Sequence, residues 1–266
     1  MKTIPVSKNQ VKNWRKLKSR KHRYQSGQFI AEGERCVEQI FHNKRVKISA
    51  LLLSDVYSSA PFILKGGQQK PPVYSLDRDQ VSEISDTENP QGVLAVCSIP
   101  EEISPESLKS KTGFLIATDS IQDPGNLGTI IRTAVWFGAG GLICGTGTVD
   151  PWNPKVVRST AGATGMLPML QGNLDDLLAG MEGDGWQVLL LDGGEGAVAL
   201  QTESALTKSI LVIGNEANGI DESLFRSNRK KIKITGDEGT VESLNAAIAA
   251  GIAMYWLGRE KFDPDY

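Results

Sequence analysis

The sequence is short of cysteine, histidine and long apolar runs, and each shortage excludes a kind of protein. Its 266 residues include three cysteines and two histidines, too few for a disulfide framework, a zinc finger or a histidine-rich metal site. No apolar run reaches the roughly 18 residues that a membrane-spanning helix needs, and no apolar stretch follows the basic N-terminus as in a secretory signal. We therefore expect a cytoplasmic protein without a metal ion or membrane segment, whose thiols are reduced and buried.

The charged residues are distributed unevenly along the chain. Residues 1–47 contain 13 Lys and Arg against 3 Asp and Glu, whereas the remainder contains 16 against 28. A basic arm on an acidic body indicates a polyanionic partner for the arm. A solvated lysine-rich helix would give the same composition, and charge alone does not separate the two. The acidic body is compatible with RNA binding because phosphate contacts are local.

The order of predicted elements divides the chain into two α/β domains. In residues 1–98 short strands alternate with helices, beginning with a basic helix within residues 1–22. Residues 99–112 are polar, contain two prolines and predict a linker. In residues 113–262 strands alternate with helices again, which predicts a mostly parallel sheet. The predicted helices of this second domain include Asn126–Phe137, Trp152–Ala163 and Ala246–Leu257.

Three motifs of the second domain each follow a short buried strand. Because the carboxyl ends of parallel strands meet at one edge of a sheet, we expect the motifs to lie together where such sheets bind ligands. No glycine-rich dinucleotide fingerprint, Walker loop or nucleophile elbow is present, which excludes the commonest other ligand classes. The motifs are NxGxxxR (Asn126, Gly128, Arg132), GNEANGI (Gly214 to Ile220) and ESLNAAIA (Glu242 to Ala249).

These motifs resemble those of the SpoU/TrmH-type 2′-O-ribose RNA methyltransferases, because they occur in the same order and at nearly the same spacing as in that family. The resemblance implies a SPOUT-type domain whose C-terminal segment threads a loop to form a trefoil knot. It also implies a homodimer with the active site near the subunit interface, and S-adenosylmethionine as the methyl donor. The implied reaction is transfer of the donor's methyl group to a ribose 2′-oxygen in structured RNA, without a metal.

The resemblance assigns roles to residues that also have plainer interpretations. Asn126 and Ser243 could be ordinary helix N-caps, Asn218-Gly219 a turn, and Ile234 and Leu244 core residues. By resemblance, Arg132 faces the ribose, where a cation favours the 2′-alkoxide and can hold the adjacent phosphate. The implied catalytic residues are Asn126, Arg132, Glu216, Ser243 and Asn245. The implied donor-binding residues are Gly214, Asn215, Glu216, Gly219, Ile234 and Leu244.

Two positions depart from the family pattern. Thr235 stands where a proline commonly follows the third-motif isoleucine, and Ala217 stands where the second motif usually has glycine. Both changes concern the shape of a loop more than its polar groups. They therefore bear on the affinity for the donor rather than on the reaction.

The first domain carries a second resemblance. The segment RKHRYQSGQFIAEGERCVEQ is similar to the ribosomal-protein-like α/β substrate-binding domain that precedes the catalytic domain in many SpoU-type enzymes. By resemblance this domain holds the RNA, and its presence favours ribosomal RNA over transfer RNA. The residues that carry the pattern are Arg23, Gly27, Phe29, Glu32 and Gly33.

Three alternatives stay open at the level of sequence. They are the same reaction on transfer RNA, methylation of a base nitrogen on the same fold, and a non-catalytic RNA-binding protein. The NxGxxxR motif favours ribose as the acceptor. The joint presence of five polar residues at the family's catalytic positions argues against a protein that only binds RNA.

Overall fold

The computed structural model describes residues 3–42, 45–55, 57, 70–202, 207–237 and 243–262. They form two compact units. The N-terminal unit consists of Met1–Glu101 together with Asp150–Met166, and the C-terminal unit consists of Glu102–Val149 and Leu167–Tyr266. Asp150–Met166 therefore packs with the N-terminal residues, although it lies inside the second domain of the sequence.

The N-terminal unit is built on a mixed sheet. Its strand order is β1-β4-β3-β5-β2, with β5 antiparallel to both of its neighbours and the other pairs parallel. In chain order the elements are β1 (Ile4–Pro5), α1 (Lys8–Arg15), α2 (Arg20–Ser26), β2 (Gln28–Glu32), α3 (Glu34–His42), β3 (Ile48–Ser54), β4 (Val73–Leu76), α4 (Arg78–Ile84) and β5 (Val93–Ser98).

The predicted basic helix is broken into two. A 3-10 turn, Lys16–Lys18, follows α1, and Ser19 is extended with φ −87° and ψ 132°, so α2 begins afresh at Arg20. The apolar residues of this segment still face one side, because Val11, Trp14 and Leu17, spaced three residues apart, all join the core of this unit. Trp14 meets the ring of Tyr74 edge-on at 5.3 Å, so it is a packing residue.

The C-terminal unit contains a seven-stranded sheet within the described residues. Its order is β10-β12-β9-β11-β6-β7-β8 and every neighbouring pair is parallel, which confirms the mostly parallel α/β prediction. The remaining elements of the chain are α5 (Pro105–Lys109), β6 (Gly113–Thr118), α6 (Pro124–Trp136), β7 (Leu142–Gly145), α7 (Pro154–Ser159, in the N-terminal unit), β8 (Met169–Gly172), α8 (Leu174–Glu182), β9 (Gln187–Leu191), β10 (Val198–Ala199), β11 (Lys208–Ile213), β12 (Lys230–Lys233) and α9 (Ala246–Phe262).

The central strands of this sheet contain uninterrupted apolar runs because both of their faces are buried. β9 and β11 have neighbours on both edges, and most of their aliphatic side chains are fully buried, as expected for a parallel sheet covered on both faces.

Helices α6 and α9 pack on each other, and the rings of Phe137 and Tyr255 lie 6.0 Å apart. Helix α6 follows β6 and α9 follows β12 in the chain, so both begin after the carboxyl end of a strand.

The structure corrects several predictions about helices, and α9 extends beyond its predicted end at Leu257 to Phe262. The predicted linker contains α5, whose Leu108 is fully buried. Helix α6 begins at Pro124 rather than at Asn126, because the side chain of Asp123 accepts from the backbone N–H of Asn126 and caps the helix. Helix α7 is shorter than Trp152–Ala163, since it starts at Pro154 and ends at Ser159.

The residues of the N-terminal family pattern meet the segment Asp150–Met166. Arg23 is buried and ion-paired with Asp150, and the ring of Phe29 lies 5.1 Å from that of Trp152. Glu32 lies 3.7 Å from a guanidinium nitrogen of Arg158. The glycines of the pattern have positive φ, +62° at Gly27 and +94° at Gly33. Within this unit the pattern therefore marks packing and turn positions.

None of the helices in the described part of the chain is long and apolar enough to cross a membrane. The three cysteines are free and buried, as predicted. Burial raises the pKa of the Cys36 thiol to about 12, so this thiol is neutral and unreactive at physiological pH. Among the described residues no group of three or more His, Cys, Asp and Glu side chains could hold a metal ion.

Candidate active site

The three motifs lie at the carboxyl edge of the parallel sheet. The loop after β6 leads into α6, the loop after β11 carries the second motif, and the chain after β12 leads to α9. Strands β6 and β11 are neighbours, yet the chain leaves β6 towards β7 on one side while β9 and β12 lie on the other. Such a switch point opens a crevice between the loops that follow the two strands.

Glu216 joins the second motif to the first. Its carboxylate accepts from the side-chain Nδ2 of Asn126 at 2.9 Å, and from the backbone amides of Gln122 and Asp123, each at 3.3 Å. Glu216 is exposed, whereas Asn126 is half-buried in the first turn of α6. The carboxylate thus holds both the loop after β6 and the start of α6.

Asn245 joins the third motif to the first. Its Nδ2 donates to Oδ1 of Asn126 at 3.0 Å, and its Oδ1 accepts from the backbone amides of Ala247 at 2.9 Å and Ile248 at 3.3 Å. Asn245 therefore caps α9, the role that the sequence would assign by default to Ser243. One side chain fixes the start of α9 and ties it to α6.

The charge of Glu216 follows from these contacts. Partial burial raises the pKa of its carboxyl group. The hydrogen bonds from Asn126, from its own backbone and from the amides of Gln122 and Asp123 together lower the pKa by more than burial raises it. The net effect is a pKa below the ordinary value. Glu216 is therefore ionised at neutral pH and is a poor proton acceptor, which suits a residue that positions others.

Asn215 shapes the loop of the second motif. Its backbone pairs with Gly219 in both directions, with N···O distances of 2.8 and 3.0 Å. Its Oδ1 accepts from the amides of Ala217 and Asn218, at 2.9 and 3.1 Å, and its Nδ2 donates to the carbonyl of Ser120 at 2.7 Å. This side chain therefore closes the loop and attaches it to the loop after β6.

Gly214 is required by the packing of its own loop. A Cβ at this position would lie 2.3 Å from the carbonyl carbon of Gly219 and 2.5 Å from the nitrogen of Ile220. Both are backbone atoms, which cannot move aside cheaply. Gly219 has φ +70°, and a Cβ there would meet only Oδ2 of Asp192, at an ordinary 3.9 Å, so this glycine is needed for its left-handed turn conformation. The structure explains both glycines without a ligand.

The other predicted site residues lie outside this hydrogen-bonded network. Arg132 is exposed on α6 and makes no hydrogen bond or ion pair with any described side chain. Ser243 is exposed, and no hydrogen bond joins it to the described residues. Leu244 is exposed and Ile234 is half-buried just after β12. Glu242, the first residue of the third motif, lies outside the described residues.

Two residues that the sequence analysis did not single out support the site. Ser120 has a positive φ of 54°, and its carbonyl is the acceptor for Asn215. Asp119 is buried; its Oδ1 accepts from the hydroxyl of Ser120 at 3.2 Å and its Oδ2 from the amide of Asp221 at 2.7 Å. The only signal in the sequence is a small polar pair, Asp-Ser, directly after a predicted strand.

Comparison with known proteins agrees with this architecture. The SpoU rRNA Methylase family matches residues 113–255, and the MRM3-like substrate binding domain matches residues 8–95. The chain is 35% identical to the 23S rRNA (guanosine(2553)-2′-O)-methyltransferase RlmP of Bacillus subtilis, over 97% of this chain and 99% of that protein.

Solved structures with the same fold include two that cover almost the whole chain. The AdoMet-bound rRNA methyltransferase from Sinorhizobium meliloti has a TM-score of 0.80 and 28% identity, over 97% of this chain and 98% of that one. An RNA methyltransferase of the TrmH family from Porphyromonas gingivalis has a TM-score of 0.79 and 31% identity, over 96% and 99%.

A parallel sheet whose switch point joins three separated motifs through Glu216, Asn126 and Asn245 defines an RNA methyltransferase of the SpoU type. The chain belongs to the SpoU rRNA methylase family. This confirms the family predicted from the motifs.

Proposed function

We propose that this protein transfers the methyl group of S-adenosylmethionine to a ribose 2′-oxygen of ribosomal RNA. The observation that carries the proposal is the hydrogen-bonded chain Glu216–Asn126–Asn245, which unites the three family motifs. The relative from Bacillus subtilis supports the substrate class, because it is named for 2′-O-methylation in 23S ribosomal RNA and matches nearly end to end. A ribosomal RNA substrate also favours a cytoplasmic location.

The residues divide into two chemical roles. Arg132 is the proposed catalytic residue: an exposed guanidinium without a described partner can bind the ribose region and stabilise the 2′-alkoxide as the hydroxyl loses its proton to solvent. Glu216 and Asn126 are positioning residues, since their polar atoms bind each other. Asn245 is a positioning residue as well, because it binds Asn126 and caps α9. Ser243, just before this cap, orients the acceptor hydroxyl. The rate would come from alignment of oxygen and methyl carbon, together with electrostatic stabilisation.

The loops after β11 and β12 fit the methyl donor. The donor supplies an electrophilic methyl group on a positively charged sulfur. Leu244, whose side chain is 46% exposed, and half-buried Ile234 offer apolar contacts for its adenine. Gly214, Asn215, Glu216 and Gly219 form a closed loop whose backbone stays fixed by its own hydrogen bonds, as a binding loop should. Thr235, one of the two positions that depart from the family pattern, is anchored because its hydroxyl accepts from Nε2 of Gln201 at 3.3 Å.

An exposed apolar surface on α6 and α9 supports a homodimer. Trp136 on α6 is 77% exposed and Tyr255 on α9 is 61% exposed, with Ile248 and Ile252 exposed on the same helix. Large exposed apolar residues in one area indicate an interface. Arg132 lies one helical turn before Trp136, so a partner that covers this surface would also reach Arg132. Size-exclusion chromatography with light scattering should give a dimer for the wild type and a monomer for Trp136→Glu.

The protein has, in our proposal, the domains predicted from the sequence and a trefoil knot in its methyltransferase domain. The RNA-binding domain is residues 1–98 with its basic arm, the linker 99–112 and the methyltransferase domain 113–262, with Asp150–Met166 contributing to the N-terminal unit. The strand order supports the knot: β12 lies beyond β9, while α9, which follows it, packs on α6 beside the central strands.

The test uses purified protein, methyl-labelled S-adenosylmethionine and, in separate reactions, ribosomal RNA and transfer RNA from cells that lack the protein. We expect label in RNA that nuclease digestion releases as a 2′-O-methylnucleoside. Label on a base would show the base-methylating alternative, and label in transfer RNA alone would show the other substrate class. Donor binding without transfer to either RNA, or no donor binding at all, would favour a protein that only binds RNA. Donor binding is measured as a rise in the melting temperature.

A further inference from the structure

We propose that a polar pocket in the N-terminal unit receives one unstacked base of the RNA substrate. The pocket lies between α1 with its 3-10 turn and α2, and has a volume of about 400 Å³. This is within the range of roughly 300–1,000 Å³ of small-molecule sites. The inference rests on the proposed function, since it takes RNA as the substrate.

The side chains around the pocket suit the edge of a base. Four carboxamides contribute to its lining, from Gln10, Asn13, Gln25 and Gln28. A carboxamide carries both donors and acceptors, which is how Asn and Gln pair with base edges. Oδ1 and Nδ2 of Asn13 make no hydrogen bond to the described residues, and the same holds for the side-chain amides of Gln25 and Gln28. Their hydrogen-bonding groups are therefore available to a ligand.

His22 supplies an independent indication. It lines the pocket, and its Nδ1 is buried without a hydrogen-bond partner. Buried polar atoms nearly always have partners, so an orphaned one calls for an explanation. A bound group that reaches this nitrogen would provide the missing hydrogen bond. Neighbouring His and amide side chains that lack partners are expected where a polar ligand completes the structure.

The frame of the pocket is rigid. Arg23 is buried and donates through Nη1 to the carbonyls of Leu17 and Lys18, at 2.9 and 2.8 Å. Its Nε donates to Asp150 at 2.9 Å. The guanidinium therefore locks the corner between the 3-10 turn and α2, while Trp14 and Leu17 anchor the other side in the core. A preformed pocket binds without a cost of ordering.

The charge around the pocket favours a nucleic acid over other polar ligands. Between Lys8 and Gln28 the chain has eight Lys and Arg and no Asp or Glu. Only Lys16 among these cations lines the pocket itself. A neutral polar interior with a cationic rim matches a base flanked by phosphates. A phosphorylated or acidic peptide would instead need cations inside. Recognition of RNA through splayed-out bases is also the usual route to specificity outside paired helices.

The test compares RNA hairpins that differ in one base. One hairpin carries a single-nucleotide bulge, prepared with each of the four bases, and the other carries an abasic residue at the same place. The two have the same length and charge, so only the base differs. Binding to the full-length protein is measured by fluorescence anisotropy at one salt concentration. We expect at least one base-containing bulge to bind about tenfold more tightly than the abasic one, as one well-bonded base edge allows.

The pocket is tested with paired variants on exposed positions. Asn13→Ala combined with Gln25→Ala should reduce the preference for the base to within about twofold, and leave affinity for the abasic hairpin unchanged. The matched control is Asn9→Ala, which removes the same side chain one turn earlier on α1, outside the pocket. It should keep the full preference. His22→Leu should lose part of the preference, and His22→Asn, which retains a polar atom near Nδ1, should lose less.

Several results would overturn the proposal. They are an equal affinity of the wild type for all hairpins, a preference that survives the double substitution, an equal loss for both hairpins, and no binding of any hairpin. The methyl-transfer assay separates this inference from the proposed function. Methyl transfer with no base preference removes the pocket alone. A base preference without methyl transfer to RNA removes the proposed function alone.

Discussion

The side chains of Asn126 and Asn245, which are 119 positions apart in the chain, share a hydrogen bond of 3.0 Å. Asn126 also donates to Glu216, 90 positions away. One amide side chain thereby links the starts of two helices to a loop between them. Because each of the three residues comes from a different motif, their spatial contact depends on the path of the whole C-terminal unit.

Arg132 should be needed for catalysis and dispensable for folding. Its side chain is exposed and without a described partner, so Arg132→Ala should change the melting temperature little. Methyl transfer should fall by at least about a hundredfold, as expected for loss of a group that stabilises developing charge. Arg78→Ala, which removes an exposed arginine on α4 of the N-terminal unit, should leave transfer unchanged. Transfer by Arg132→Ala within a few-fold of the wild type would remove Arg132 from the catalytic residues.

Two variants of Asn245 should separate the effect of its cap on α9 from the effect of its hydrogen bond to Asn126. Asn245→Ala loses both the cap of α9 and the bond to Asn126, and loss of an N-cap costs about 0.5–2 kcal/mol of stability. Asn245→Ser can still cap the helix but cannot reach as a donor to Asn126. We expect the Ser variant to have a urea unfolding midpoint close to that of the wild type and to lose most of its methyl-transfer activity. If Ser restores transfer together with stability, the contact with Asn126 has no part in the reaction.

Glu216 should make stability depend on pH at the acid end. Its pKa is lowered in the folded protein, so the carboxylate contributes stability above the ordinary pKa of a glutamate. That contribution disappears as the pH falls through the lower, folded value. The unfolding free energy of the wild type minus that of Glu216→Gln should therefore be constant near neutrality and decrease on acidification. A difference that increases towards acid pH would mean that burial outweighs the hydrogen bonds.

The exposed lysines of the basic arm should determine the salt dependence of RNA binding. Deleting residues 1–22 would remove core residues such as Trp14, so neutralisation is the cleaner test. The triple variant Lys12→Gln, Lys18→Gln and Lys21→Gln should lower the slope of log affinity against log salt by about 0.7–0.9 for each phosphate that the arm no longer binds. Neutralising exposed Lys111 and Lys155 should leave the slope unchanged. An unchanged slope in the triple variant would mean that the arm is only solvated.

The ion pair of Arg23 and Asp150 should be essential to the N-terminal unit. Both side chains are buried, so Asp150→Ala leaves an unpaired buried cation, which costs about 3–5 kcal/mol. Glu83→Ala breaks the exposed pair with Arg15 and should cost less than about 1 kcal/mol. Hydrogen exchange of the backbone amides in β2 and α2 measures the difference. Equal protection in the two variants would show that the buried pair does not hold the unit.

Local sequence determined the elements and the family. The apolar runs of β9 and β11 form central strands because a strand with neighbours on both edges is buried on both faces. The start of α4 is also set by local sequence, because the side chain of Asp77 accepts from the backbone N–H of Gln80 three residues on and caps the helix. The three motifs identified the methyltransferase family because their residue types and order are specific to it. These signals are local, so the sequence contains them directly.

Contacts between distant segments were decided only by the tertiary structure. The sequence placed a polar residue at each motif but gave no reason for Asn245, rather than Ser243, to cap α9 and reach Asn126. It did not show that Gly214 is a glycine because the backbone of Gly219 lies against it. It also did not show that Asp150–Met166 packs with the N-terminal residues. Each of these depends on which segments the sheet order brings together, and no local propensity or spacing encodes that order.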